Sequence, residues 1–278
     1  MDEKNILERI HAAYYQLTAA ERKVADFVLA QHDQVQFMSI SQLADECGAA
    51  EATVSRFCRS LNLKGFNAFK IELARNYVAQ KKPEHSTDTL EGRSHEVGFL
   101  AHAAIDQTLE LMEPGKLLQT VTLLEKAPRV LCIGSGGSMI LAEACAHLFS
   151  TVTGKFFALP DSHSQMTAVA TLGPDDVVIL FSYSGATTHG IQVLELAKQF
   201  GIQTILITRF SRSPGAKLAD IVLRCGSNET PFQSGSVPAK VAQLIVTDLL
   251  FQEYCHRNPE SCEENVERIA SALSVKHL

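Results

Sequence analysis

The sequence lacks the features that would place it in a membrane or outside the cell. No hydrophobic run approaches the roughly 18 consecutive apolar residues that cross a bilayer, so we expect no membrane-spanning helix. The first residues mix both charge signs without the apolar core of a signal peptide, so we expect no secretory leader. The seven cysteines contain no Cys-x-x-Cys pair and are scattered through apolar segments. They therefore predict buried, reduced thiols in a cytoplasmic protein without a metal or a cofactor.

The sequence also lacks a Walker A motif and an overall excess of basic residues. Without the motif, nucleotide hydrolysis is unsupported. The net charge of -6 argues against a general nucleic-acid binder. However, residues 51–82 hold seven Lys/Arg against two Asp/Glu, whereas residues 1–50 and 83–278 are both acidic. One short basic island in an acidic protein indicates a local contact with nucleic acid.

Hydrophobic periodicity divides the chain into a helical part and an alternating part. Residues 1–80 predict helices without strands, and Thr18 followed by Glu21 predicts a capping box. Residues 81–96 are polar and charged, and they predict a linker. Farther along, strand-length apolar runs alternate with helices, which means a parallel sheet covered on both faces. We therefore expect an all-α N-terminal domain and, over residues 97–278, a doubly wound, flavodoxin-like α/β domain.

The stretch from Ser39 to Leu61 has the layout of a helix-turn-helix. A short helix ends near Cys47, Gly48 allows a sharp turn, and a second helix begins near Glu51. At about 100° per residue, the apolar side chains of the second helix share one sector, and its two arginines lie opposite. The inward sector comprises Val54, Phe57, Cys58 and Leu61. An arginine-bearing outer face suits a helix that enters the major groove. The candidate DNA contacts are Glu51, Thr53, Ser55, Arg56, Arg59, Lys64 and Lys70.

Two strand ends in the α/β part are small and polar. Residues 133–138 (IGSGGS) follow the first predicted strand, and residues 181–190 (FSYSGATTHG) follow the third. Ligands of open parallel sheets bind beyond the carboxyl ends of the strands, and helix N-termini attract anions. Glycine allows the backbone to approach closely, and short hydroxyls can donate to phosphate oxygens. The two loops therefore predict a phosphate site that needs no P-loop lysine.

The first of these loops has an alternative interpretation as a dinucleotide site. Gly134 and Gly136 begin a G-x-G-x-x-G fingerprint, but position 139 is Met. Asp161 stands at the end of the second strand, where a ribose-binding acid would lie. The second hydroxyl-rich loop argues against this alternative, because one small phosphorylated ligand explains both loops better than a dinucleotide does.

Further polar residues could complete the pocket. Ser162 with Gln165 predicts a capping box that would place His163 at a helix start. Glu229 follows the fifth strand, and Lys240 lies near the start of the last long helix, where a bound anion would offset the unfavourable dipole. The candidate ligand contacts are Ser135, Gly136, Ser138, His163, Ser182, Tyr183, Ser184, Gly185, Thr187, Glu229 and Lys240.

With these residues in view, the chain resembles the RpiR family of bacterial transcription regulators, which join a helix-turn-helix domain to a sugar isomerase (SIS) domain. At the front the resemblance rests on TAAERKVADFVL and SISQLADECGAAEATVSRFCRSLNLKGFNAFK. At the back it rests on IGSGGS, FSYSGATTHG, ITRFSRSPGAKLADIVL and AKVAQLIVTDLLF. It implies a regulator, not an enzyme, whose operator binding responds to a sugar phosphate. It also implies phosphate contacts at Ser138, Ser182, Ser184 and Thr187, and sugar contacts at His163, Glu229 and Lys240.

Within that family, the length and loops are similar to those of the NanR-type repressors of sialic-acid catabolism, whose effector is N-acetylmannosamine 6-phosphate. N-acetylmuramic acid 6-phosphate, N-acetylglucosamine 6-phosphate and gluconate-pathway intermediates remain open, because many relatives carry a Ser-Arg pair where this chain has Pro238-Ala239-Lys240. We expect a dimeric or tetrameric repressor on a two-fold symmetric operator. One alternative is a sugar-phosphate isomerase with Glu229 or His163 as its base. Another is a plain dimerising module.

Overall fold

The computed structural model describes residues 6–80, 89–227 and 235–274, which form two compact units. The boundary between the units falls after Leu100. In its described residues the first unit is built from helices alone. These are α1 (Ile6–Ala13), α2 (Ala19–Val35), α3 (Ile40–Glu46), α4 (Glu51–Ser60) and α5 (Phe66–Gln80).

Capping boxes fix where two of these helices begin. The Thr18 hydroxyl accepts a hydrogen bond from the Glu21 amide at 3.3 Å, and the Glu21 carboxylate accepts one from the Thr18 amide at 2.9 Å. The capping box predicted at Thr18 is therefore confirmed, and Ser39 with Gln42 makes another at α3. The hydrogen bond with Thr18 also holds the pKa of Glu21 below its ordinary value. The same carboxylate accepts a bond from the Ser60 hydroxyl at 3.0 Å, which ties α2 to the end of α4.

The core of the first unit follows the helical periodicity of α4. The predicted inward residues Val54, Phe57, Cys58 and Leu61 are all buried. The ring of Phe57 packs edge-on against that of Phe69 on α5, with 5.5 Å between ring centroids. Burial raises the pKa of Cys58 to about 12, so this thiol stays protonated at neutral pH. All seven cysteines lie in the described part of the chain, and none of them forms a disulfide bond.

The second unit is a parallel five-stranded sheet between two layers of helices. The strands are β1 (Val130–Gly134), β2 (Phe156–Ala158), β3 (Val177–Phe181), β4 (Gln203–Thr208) and β5 (Ile221–Arg224). Their order in the sheet is β2-β1-β3-β4-β5. The helices are α6 (Leu90–Leu111), whose residues up to Leu100 belong to the first unit, α7 (Pro114–Lys126), α8 (Met139–Ser150), α9 (Ser162–Thr171), α10 (Thr188–Gln199), α11 (Val237–Arg257) and α12 (Pro259–Ser274). The predicted fold class is confirmed.

The strands are apolar throughout because both faces of the sheet are covered. Successive residues of a strand point to opposite faces. In β1, Val130 and Cys132 pack into the cluster that includes residues of α8 and α11. Leu131 and Ile133 pack into the cluster that includes residues of α9 and α10.

Two parts of the chain differ in detail from the sequence-based expectation. Residues 81–88 of the expected linker lie outside the described residues, and α6 begins at Leu90, so the end of that segment is helical. The strand–helix alternation also gave no sign of α12, which starts at Pro259 directly after α11. In the part of the chain that the structure describes, no helix is both long and apolar enough to cross a bilayer.

Candidate functional site

The two hydroxyl-bearing loops lie side by side at the carboxyl edge of the sheet. β1 and β3 are neighbours, with Gly134 of β1 paired to Phe181 of β3. Ser135 and Ser182 therefore leave adjacent strands at the same level. The chain continues from β1 to one edge of the sheet and from β3 to the other, so this gap is the topological switch point. The sheet order thus brings together the two loops that the sequence separates.

The first loop is a tight turn that only glycine permits at its start. A Cβ on Gly134 would lie 2.3 Å from the carbonyl oxygen of Ser138, so no larger residue fits there. Gly136 has φ +56° and opens a 3₁₀ turn that leads into α8. Ser135 and Gly136 are exposed, and Ser138 is half-buried beside the start of α8. The loop thus presents its predicted contacts next to a helix N-terminus, where unpaired amides favour an anion.

The second loop contains a buried hydroxyl for which the described part of the chain supplies no partner. Ser182 is 4 % exposed, and within the described residues its Oγ has no hydrogen-bond partner. Ser184 Oγ accepts a hydrogen bond from the Ala186 amide at 3.2 Å. Thr187 is exposed at the N-cap of α10 and makes no side-chain cap. An unpaired buried hydroxyl costs free energy unless something else binds it, so the position of Ser182 agrees with its predicted ligand contact, which stays a prediction.

Gly185 fixes the turn of the second loop. Its φ is +58°, and a Cβ there would lie 2.1 Å from Ser213 Oγ and 3.0 Å from Thr208 Oγ1. The Gly185 carbonyl accepts a hydrogen bond from the Gly215 amide at 2.8 Å. The segment that follows β4 therefore packs directly against the loop and holds its shape.

Tyr183 points its hydroxyl at the segment that follows β5. Its Oη donates to the Ser227 carbonyl at 2.8 Å, and Arg209 Nε donates to the same oxygen at 3.0 Å. Ser227 has φ +114°, which is unusual for a residue other than glycine, and its amide donates to Gln107 Oε1 at 3.1 Å. The geometry thus gives the Tyr183 hydroxyl a structural bond to backbone, while its predicted ligand contact stays a prediction.

Lys240 lies against the first loop. It belongs to the first turns of α11, and a Cβ placed on Gly137 would be 3.8 Å from its Cε and 4.0 Å from its Nζ. The position therefore brings a positive charge to the loop that contains Ser135 and Ser138. Sequence reasoning placed Lys240 at a helix start but could not show which loop it would approach.

The start of α9 differs from the predicted capping box. The N-cap is Asp161, whose carboxylate accepts a hydrogen bond from the Ser164 amide at 2.9 Å, so the box of Ser162 with Gln165 is wrong. Hydrogen bonds from Ser164 hold the pKa of Asp161 below its ordinary value. This carboxylate is therefore engaged as a helix cap. His163 is exposed on the first turn of α9, as predicted, and Glu229 lies outside the described residues.

Sequence reasoning missed the role of Gln165 and overlooked His189. Gln165 is 1 % exposed, and its side-chain amide contacts the ends of β1 and β2 and the imidazole of His189 on α10. The available signal was a polar residue on an apolar helix face, since Val169, one turn later, is also buried. Burial lowers the pKa of His189, so its ring is neutral at pH 7.

The candidate DNA-contacting surface in the first unit is formed by α3 and α4. Arg56 and Arg59 are exposed on α4 as predicted. Ala52, which lies closer to the turn between α3 and α4, is exposed too. Lys64 is exposed beyond the end of α4, and Ser55 is half-buried. The outer face of α4 therefore has a small side chain near the start of the helix and basic side chains farther along.

Four of the predicted DNA contacts, Glu51, Thr53, Arg56 and Lys70, have partners inside the unit. Glu51 accepts a hydrogen bond from the Ser41 hydroxyl at 2.6 Å, which links α3 to α4. Thr53 is buried, and its hydroxyl accepts a bond from Arg56 Nη2 at 3.2 Å. The structure therefore places Thr53 behind the outer face, where it orients Arg56, and does not support a direct DNA contact by its side chain. Lys70 Nζ donates to the Met38 carbonyl at 3.0 Å.

Comparison with known families matches both units. Residues 4–80 match the helix-turn-helix domain of the rpiR family, and residues 123–252 match the SIS domain. An HTH-type transcriptional regulator of Caldanaerobacter subterraneus subsp. tengcongensis, itself uncharacterized, is 30% identical over 99% of each chain. The regulator YbbH of Bacillus subtilis is 29% identical over 95% of each chain.

Solved structures agree with these matches. The NanR protein of Vibrio vulnificus, complexed with ManNAc-6P, is 25% identical with a TM-score of 0.87, covering 97% of this chain and 98% of that one. The sugar isomerase domain of an RpiR transcription factor from Sphaerobacter thermophilus is also 25% identical, with a TM-score of 0.59. It covers 64% of this chain and 98% of its own. The protein therefore belongs to the RpiR family of helix-turn-helix transcription regulators, with a SIS domain behind its DNA-binding domain.

Proposed function

We propose that this regulator represses genes of amino-sugar or sialic-acid catabolism and that N-acetylmannosamine 6-phosphate, bound in the SIS domain, releases it from its operator. The observation that carries the proposal is the pair of serine-bearing loops at the switch point. One of them holds the buried hydroxyl of Ser182, which has no hydrogen-bond partner in residues 6–80, 89–227 and 235–274. A phosphate group has the acceptor oxygens that such hydroxyls and the adjacent helix amides require.

The charge at the site favours a phosphate over an uncharged sugar. α8 and α10 both begin beside the loops, and their N-termini carry partial positive charge. Lys240 adds a full positive charge against Gly137. A phosphate dianion would therefore be held by hydroxyls, amides and one ammonium group. The similarity to the NanR structure with ManNAc-6P supports the choice of an N-acetylated hexosamine for the remainder of the ligand.

DNA binding is assigned to the exposed arginines of α4. A helix-turn-helix regulator reads a two-fold symmetric operator as a dimer, so we propose at least two copies of the chain on DNA. An effector changes DNA affinity only if it binds one arrangement of the protein better than the other. We therefore propose that the sugar phosphate prefers the arrangement that fits the operator less well.

The proposal is tested by fluorescence anisotropy on labelled duplexes from the upstream region of the gene. The full-length protein is titrated onto the duplex with and without N-acetylmannosamine 6-phosphate, the other candidate sugar phosphates and unphosphorylated N-acetylmannosamine. We expect the first compound to weaken binding and the unphosphorylated sugar to have no effect. Thermal unfolding provides the second readout, because a ligand at about 100 times its Kd stabilises the native state by about 2.7 kcal/mol.

Two results would contradict the proposal. If none of the sugar phosphates raises the melting temperature, the SIS domain is not a sugar-phosphate sensor of this class. If hexosamine 6-phosphates are turned over and no duplex is bound, the isomerase alternative is favoured instead.

A further inference from the structure

One buried side chain connects the elements that carry both hydroxyl-bearing loops. Gln165 Nε2 donates to the carbonyl of Gly134, the last residue of β1, at 3.1 Å and to the carbonyl of Leu159 at 2.8 Å. Its Oε1 lies 2.6 Å from Nε2 of His189, two residues after the N-cap Thr187 of α10. In the structure β1 ends at Gly134, and the second loop runs from the end of β3 at Phe181 to Thr187, because α10 begins at Thr188. The Gln165–His189 pair therefore spans the gap between the end of β1 and the start of α10.

The hydrogen bonds determine how both side chains are oriented. Only the amide nitrogen of Gln165 can donate to two carbonyl oxygens, so Nε2 faces Gly134 and Leu159. The oxygen Oε1, which can only accept, is left for His189. The His189 ring must therefore carry its proton on Nε2 and leave Nδ1 unprotonated. Burial lowers the pKa of His189, which agrees with a neutral ring.

We propose that Gln165 is a positioning residue of the sugar-phosphate site, which acts through His189 to set the spacing between the first loop and the start of α10. This inference rests on the proposed function, because the spacing matters only if one phosphate group spans both loops. Hydrogen bonds to such a group weaken once donors move by more than about 0.5 Å from their required places.

Burial makes this connection rigid. Gln165 is 1 % exposed, and its amide is hydrogen-bonded at both ends, so rotation would leave polar groups unpaired in the protein interior. The start of α10 is held to the sheet at this point by a hydrogen bond that does not depend on a bound ligand. Removing the donor on His189 would free α10 to shift relative to β1.

A matched set of variants of the full-length protein tests the proposal. His189→Phe keeps a ring of similar size but removes the donor to Gln165, whereas His189→Gln restores a donor. Thr204→Val is the control. Thr204 is buried near the start of β4, at the amino ends of the strands, where its hydroxyl donates to Asp220 Oδ2 at 2.7 Å and accepts from the Asp220 amide at 3.1 Å. This variant therefore loses buried hydrogen bonds far from the loops.

The measurement is calorimetric affinity for N-acetylmannosamine 6-phosphate at a temperature where each variant is folded. We expect His189→Phe to bind about tenfold more weakly, the effect of one hydrogen bond, and His189→Gln and Thr204→Val to stay within about threefold of the parent. Wild-type affinity in His189→Phe would overturn the positioning role, and so would equal weakening by both His189 variants. A parent protein that binds no sugar phosphate would instead refute the proposed function.

A spectroscopic measurement keeps the inference testable if His189→Phe does not fold. Nitrogen-15 correlation spectra of the parent protein should show His189 as a neutral imidazole with its proton on Nε2. The Gln165→Glu variant removes the amide donor and places a carboxylate beside the ring, so His189 should become protonated at neutral pH. A parent spectrum with the proton on Nδ1 would overturn the assigned geometry.

Discussion

Replacing Ser182 by alanine should stabilise the ligand-free protein and abolish its response to the sugar phosphate. Ser182 is 4 % exposed, and its Oγ is buried without a partner among the described residues. A buried hydroxyl without a hydrogen bond costs about 1–3 kcal/mol, and alanine removes that cost while leaving a gap of only one atom. We therefore expect the free energy of unfolding to rise by about 1 kcal/mol, which corresponds to a melting temperature about 2–4 °C higher for a domain of this size.

The assay is thermal and urea-induced unfolding of the parent and the variant, each with and without N-acetylmannosamine 6-phosphate. Ser213→Ala is the matched control, because Ser213 is fully buried nearby but its Oγ accepts a hydrogen bond from the Ala216 amide at 3.2 Å. That variant should lose about 0.5–1.5 kcal/mol. Replacing these two buried serines by alanine should thus change the free energy of unfolding in opposite directions.

The sign of the stability change in Ser182→Ala decides whether the Ser182 hydroxyl has a structural partner. If Ser182→Ala destabilises the ligand-free protein as much as Ser213→Ala does, the hydroxyl has a structural partner and the argument for a ligand contact fails. If the variant is stabilised but still responds fully to the sugar phosphate, Ser182 does not contact the ligand.

Three further predictions concern other parts of the chain. Arg56→Ala should weaken specific operator binding about 10- to 100-fold in anisotropy titrations. Arg93 is an exposed arginine of α6, and Arg93→Ala should leave operator binding unchanged. Equal effects of the two substitutions would argue against α4 as the recognition helix. Gly226→Ala should lower stability in urea unfolding by about 1–3 kcal/mol, because its Cβ would lie 2.4 Å from Cβ of Gln107; an unchanged midpoint would contradict that packing. Burial alone would raise the pKa of Asp176, but hydrogen bonds from Arg129 and from a backbone amide lower it below its ordinary value of 3.8. The stabilisation of the folded state by the Asp176 carboxylate should therefore be complete above pH 3.8 and lost as the pH falls through the lower folded-state pKa. Urea unfolding between pH 2.5 and 7 should show this loss in the parent and not in Asp176→Asn.

Local and periodic features of the fold could be read from the sequence. The capping box at Thr18 involves residues three apart, and the inward face of α4 follows from 3.6 residues per turn, so both were predicted and confirmed. The five strands were predicted because a strand covered on both faces must be apolar at every position. The hydroxyl-bearing loops were visible because glycine and short hydroxyl residues interrupt such runs abruptly.

The side-chain positions of some site residues could not be predicted from the sequence. Ser162 and Gln165 have the spacing of a capping box, yet Asp161 caps the helix and Gln165 turns inward to the carbonyl of Gly134. A capping pattern reflects only the spacing of residues along the chain. The buried carbonyl of Gly134 would cost free energy without a hydrogen-bond donor, and the sequence around Gln165 does not show that this carbonyl lies nearby. Thr53 was named a candidate DNA contact because it lies near the start of α4, but packing buries it.

By itself the sequence determined the helices other than α12, the strands, the family and the two loops that should hold an anion, because each of these depends on neighbours within a few residues or on a motif read in order. Only the tertiary structure decided that β1 lies next to β3, that Lys240 reaches the first loop and that Gln165 joins β1 to α10. The physical reason is that these contacts join residues 24 to more than 100 positions apart, and their formation depends on how the whole sheet is ordered.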